Sequence, residues 1–117
     1  MKLGMIAEPK EESFVKAAER GLAFLEFCIN VGSKADEFLS SVPELVKYSN
    51  QTNVGIGSVG RWGADRILPD GSLNDEEVNL SYKLIDAASE LSCANFVCGC
   101  NYVESLSYYR NCQVAIQ

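Results

Sequence analysis

Residues 74–100 read NDEEVNLSYKLIDAASELSCANFVCGC. The stretch opens on Asn74-Asp-Glu-Glu77, the form of a capping box, with acids at the positive end of a helix dipole. Val78, Tyr82, Ile85, Ala88 and Leu91 then recur at helical spacing, which predicts a helix over Asp75–Ser92 that buries that face. Asn95–Cys100 is short and mostly apolar, as a buried strand is. A capped helix feeding such a strand is the repeating unit of a parallel α/β sheet.

The same unit recurs outward from this stretch. Lys2–Ala7 reads as a strand, followed by a helix over Ser13–Gly21 carrying Phe14, Ala17, Ala18 and Leu22. Ser13 is expected to cap that helix and Gly21 to end it. Phe24–Asn30 reads as a second strand, interrupted only by Glu26. Over Lys34–Asn50, Phe38, Leu39, Val42, Leu45 and Val46 share one helical face. Pro43 has no N–H, and Ser41-Val-Pro-Glu44 has the form of a second capping box, so two short helices are expected there. Val54–Val59 reads as a third strand, Gly60–Leu73 as a long loop with Pro and Asp-Gly signals, and Ser105–Gln117 as a further helical segment.

Strand and helix therefore alternate four times, which implies α/β architecture with a parallel sheet and right-handed crossovers. No linker or composition shift divides residues 1–117, so one domain is expected. Two architectures fit. One is a small open sheet of flavodoxin type, which normally has a fifth strand and helix. The other is the N-terminal half of an eight-stranded (β/α)8 barrel, which takes about 250 residues when whole. Four units in 117 residues, with no stop signal in the last segment, favour the half barrel.

Composition narrows the chemistry. The chain has no His, which removes Ser-His-Asp and Cys-His nucleophilic catalysis and histidine-ligated metal sites from these residues. Its net charge of -6 argues against nucleic-acid and anionic-membrane partners. Lys2 precedes only Leu3–Ala7 before Glu8, too short an apolar stretch for a secretory signal. The five cysteines are odd in number and several lie in apolar runs. They read as reduced thiols, mostly buried, and a cytoplasmic location is expected.

A family resemblance appears in the order of these signals. It runs from the Lys-Leu-Gly first strand through Gly21-Leu-Ala-Phe-Leu-Glu26 to the Gly-rich third strand. It continues through Pro69-Asp-Gly-Ser72 and Lys83–Leu91 into Phe96-Val-Cys-Gly-Cys100. The chain resembles the N-terminal half of a xylose isomerase-like TIM barrel of the sugar-phosphate isomerase/epimerase family. The resemblance implies a parent enzyme that binds a divalent metal, Mn or Mg, and acts on a sugar or sugar phosphate. The metal holds neighbouring substrate oxygens while two carboxylates move a proton at carbon. In that family the metal ligands and bases come mainly from strands five to eight, so no catalytic or metal-binding residue is assigned here. The endonuclease branch uses histidines on strands three and four and is disfavoured. The chain is expected to be inert alone and to pair with a second half, either another copy or a C-terminal half.

Barrel sites lie at the C-terminal ends of strands. The candidate substrate-binding residues are Glu8, Glu26, Arg61, Trp62 and Asn101. Glu26, an acid in an apolar strand, reads either as a group reaching sugar hydroxyls or as a structural ion pair with Arg20 or Arg61. Arg61 and Trp62 read as an anion-and-sugar pair, or as a loop anchor with Trp62 packed over the barrel end. Glu8 reads as a site acid or as an ordinary exposed acid at a strand end. Cys98-x-Cys100 lacks the paired spacing of a zinc site. Gly55-x-Gly57-x-x-Gly60 is followed by a loop, not by the helix that a dinucleotide fingerprint needs. Two other readings stand: a self-contained α/β binding or interaction module without catalysis, and a small enzyme that uses Glu8 or Glu26 directly.

Overall fold

The computed structural model describes residues 1–30 and 35–117. Eight elements alternate: β1 (Gly4–Ala7), α1 (Glu11–Glu19), β2 (Phe24–Cys28), α2 (Ala35–Thr52), β3 (Gly55–Arg61), α3 (Asp75–Glu90), β4 (Phe96–Cys98) and α4 (Tyr108–Ile116). The strands form one parallel sheet in the order β1-β2-β3-β4. A flavodoxin-type sheet places its first strand inside. Here β1 is an edge, so the chain winds in one direction only.

The two faces of the sheet differ. Leu25, Phe27 and Ile29 alternate inward with Ile56 and Val59, and they pack against Phe14 and Ala17 of α1, Phe38, Val42 and Leu45 of α2, and Leu84, Ala87 and Ala88 of α3. Phe27 meets Phe14 and Phe38 edge-on at ring-centroid distances of 6.0 and 6.3 Å. Phe24, Glu26 and Cys28 point to the other face, which these three helices do not cover. A bulge between Leu25 and Glu26 inserts Gly57, pairing Leu25 with Ile56 and Glu26 with Ser58. The Phe24 ring lies across both neighbouring strands, against Gly4 and Gly57, where only glycine leaves room for it.

Several expectations change. Residues 35–52 form one helix, not two, with Pro43 inside it. Pro43 sits on the exposed side, where water can satisfy the carbonyl its missing N–H would have bonded. The Ser41 hydroxyl donates to the Phe38 carbonyl at 2.8 Å instead of capping a second helix. Lys34, the expected start of this helix, lies outside the described residues. Ser13 is buried within α1, whose cap position is Lys10. Gly21 does end α1, with φ +67° and Leu22 N–H bonded to the Ala17 carbonyl. The third strand runs on through Arg61, and the fourth is only three residues long. On α3 the buried side chains are Glu77, Leu84, Ala87 and Ala88, while Tyr82 and Ile85 are exposed. Among the cysteines only Cys93 is buried, and Cys98 at the end of β4 and Cys100 just after it are exposed.

Candidate functional site

The C-terminal ends of the strands are joined by one buried carboxylate. Arg61, at the end of β3, donates from Nε and Nη2 to the two oxygens of Glu77 on α3 at 2.6 and 2.9 Å. Its Nη1 donates to the carbonyls of Ile29 and Asn30 at 2.8 and 3.2 Å. Arg66 lies 3.6 Å from the same carboxylate and donates to Ser81 Oγ and to the Gly99 carbonyl. One guanidinium fork thus ties the end of β2, β3 and α3 together, and a second reaches the chain after β4. The capping box at Asn74 is only half made. Asn74 Oδ1 accepts from Glu77 N–H, but Asn74 N–H donates to the Arg66 carbonyl, and the Glu77 carboxylate turns inward to the arginines. That pull also sets the rotation of α3 and explains the exposure of Tyr82 and Ile85.

Asn101 holds the loop that follows β3. Its Oδ1 accepts from the N–H groups of Arg66 and Ile67 at 2.8 and 2.9 Å, and its Nδ2 donates to the Ile67 carbonyl. Asn111 on α4 does the same for residues 103–107, accepting from Val103 N–H and donating to carbonyls of Val103 and Ser107. Arg110 adds a bond to the Gly71 carbonyl at 3.0 Å. These bonds fasten β4 and α4 to the loop, compensating for a short strand ladder.

Trp62 and Glu26 share the uncovered face. Arg61 and Trp62 are consecutive in extended chain, so their side chains point to opposite sides. The structure therefore does not bring them together as a pair. The Trp62 indole folds back over Gly60 and Gly99, whose added Cβ atoms would each lie 3.1 Å from it. It remains 44% exposed. The Trp62 backbone N–H donates to Asn30 Oδ1 at 3.3 Å. Glu26 lies further down the same face, level with Ile6 and Ser58. It pairs with neither Arg20 nor Arg61. Burial and then the Glu26 charge hold the Cys28 thiol above its ordinary value.

Glu8 follows β1 and bonds Lys10 at 2.6 Å in an exposed ion pair. Both line an open groove of about 1010 Å³, with Ile6, Cys28, Glu44 and Tyr48, between α1 and α2. The five sequence candidates therefore divide. Trp62 and Glu26 present surface on one face, Glu8 borders a groove that reaches Ile6 and Cys28 at the margin of that face, and the polar groups of Arg61 and Asn101 are engaged in tying the structure together. Arg66, Glu77 and Asn111 were not singled out from sequence. Glu77 was absorbed into the capping box, and nothing local marks a buried Arg or Asn.

A flat indole on a glycine floor, with a carboxylate further down the same face, offers an apolar surface and a hydrogen-bond acceptor. Among the described residues, no group of three or more His, Cys, Asp or Glu side chains is placed to hold a metal ion. Among the same residues, no helix is long and apolar enough to cross a membrane. No protein-family model matches the chain, and no curated protein matches it.

Proposed function

We propose that the chain is the N-terminal half of a (β/α)8 barrel of the sugar or sugar-phosphate isomerase/epimerase type. The observation that carries the reading is the consecutive parallel order β1-β2-β3-β4 with α1, α2 and α3 on one face. That arrangement is, in this reading, the arc of a barrel wall, and the sheet's uncovered face is the barrel interior. In this reading Trp62 stacks on the C–H surface of a sugar, and Glu26 accepts from its hydroxyls. Arg61, Arg66 and Asn101 position the strand ends. A divalent metal and the proton-moving carboxylates belong to further strands, and the isolated chain does not turn over substrate.

The test is chemical-shift mapping of the labelled chain with aldose and ketose phosphates. Shifts are expected at the Trp62 indole N–H and at the Gly60 and Gly99 amides, with no turnover when Mn²⁺ or Mg²⁺ is added. Silence at those three groups at millimolar sugar phosphate, or turnover by the chain alone, overturns the reading.

One observation favours the alternative of a self-contained binding module. The helix-covered face has a continuous core, and no buried side-chain N or O among the described residues lacks a partner. A cooperative melt of a strictly monomeric chain that bears no free apolar face supports that module.

A further inference from the structure

The uncovered face of the sheet shows what kind of partner fits it. Ile6 on β1 is 69% exposed and Val97 on β4 is 38% exposed, and each strand has an unpaired parallel edge. The molecule is a slab of 49 × 30 × 21 Å with a radius of gyration of 16.2 Å. A compact domain of this length has about 13 Å. Parallel sheets are ordinarily covered on both faces, and open edges invite pairing.

Glu26 stands in the middle of this face. Phe24 and Cys28 flank it on β2, Ile6 lies level with it on β1, and Ser58 on β3. Among the described residues, no hydrogen bond or ion pair is made by its carboxylate. Any cover takes that charge out of water, which is strongly unfavourable without a cation. A second copy packed face to face about a twofold axis passing near Glu26 would set Glu26 against Glu26, in chains that each carry -6. Like charges in a low-dielectric interior repel strongly.

We propose that the bare face docks a second α/β layer, apolar and bearing a basic side chain opposite Glu26, whose outer strands pair in parallel with β1 and β4. Glu26 keeps a second copy of this chain out of the same place. The inference rests on the half-barrel reading above and says which chemistry completes it.

A charge-reversed copy serves as the probe. Sedimentation velocity is measured at micromolar concentration on wild type, Glu26→Lys and their equimolar mixture, with circular dichroism to check folding. Each chain alone is expected to stay monomeric. The mixture is expected to form a one-to-one dimer at least about tenfold tighter than either self-association. Glu44→Lys, which reverses an exposed charge on α2, is expected to give no dimer with wild type. If Glu26→Lys does not fold, Glu26→Gln is the second variant, expected to self-associate at least about tenfold more tightly than wild type. A discrete wild-type dimer as tight as the mixture overturns the proposal, as does a mixture and a Gln variant that associate no better than wild type. Pairing without sugar-phosphate shifts overturns only the sugar reading, and shifts without pairing overturn only this one.

Discussion

Arg61 and Glu77, sixteen residues apart in the chain, form a two-bond ion pair whose members are only 5% and 9% exposed. The pair joins a strand end to a helix start, and through Ile29 and Asn30 it also holds the preceding strand. Removing the carboxylate leaves two guanidiniums buried without an anion. Glu77→Leu is expected to cost about 3–5 kcal/mol in urea denaturation. A loss under about 1 kcal/mol would show that the cluster relaxes into water.

Asn101 replaces a strand ladder that β4 is too short to supply. Asn101→Ala strands two backbone N–H groups and one carbonyl. The expected cost is about 2 kcal/mol. Amide exchange at Arg66 and Ile67 is expected to accelerate before that of β2. Unchanged protection at both amides would contradict the anchoring role.

Two glycines on the uncovered face separate rigid packing from yielding packing. A Cβ at Gly57 would lie 2.6 Å from the Phe24 ring, which is wedged between two strands. Gly57→Ala is expected to cost about 1–3 kcal/mol. At Gly60 the Cβ meets the half-exposed indole at 3.1 Å, and that ring can swing outward. Gly60→Ala is expected to leave stability nearly unchanged. Its signature is a red shift in emission from Trp62, the chain's single tryptophan.

Asp70 closes the tip of the long loop. The Ser72 hydroxyl donates to its carboxylate at 2.6 Å and the Ser72 N–H at 2.9 Å, and both hold its pKa below the ordinary 3.8. The unfolded chain then binds the proton more readily, so folding stability rises with pH through this window. The contribution is whole above the unfolded value and is lost as pH falls through the folded one. Asp70→Asn is expected to flatten the pH dependence of Tm below about pH 4 and to leave it unchanged near neutrality.

The order of elements was readable along the chain, because apolar periodicity and caps act locally. Gly21 ended its helix as expected, and Asn74 began one. Pro43 misled, since a proline's cost depends on which side of the helix meets water. The face of α3 misled as well, since Glu77 is polar in sequence yet buried in space. For the candidate site, Trp62 and Glu26 were legible as an aromatic at a strand end and an acid in an apolar strand. The division of Arg61 from Trp62 was not, because it depends on the strand's running two residues further, through Gly60 and Arg61, than its apolar stretch.

The amino-acid sequence by itself determined four alternating strand and helix units, the absence of histidine and an acid in the middle of β2. These follow from interactions within a few residues of each other. Only the tertiary structure decided the strand order, which face carries the helices and which charges meet. Those depend on pairings between distant residues, such as Arg61 with Glu77 and Asn101 with Ile67, whose energies exist only once the sheet has brought them together.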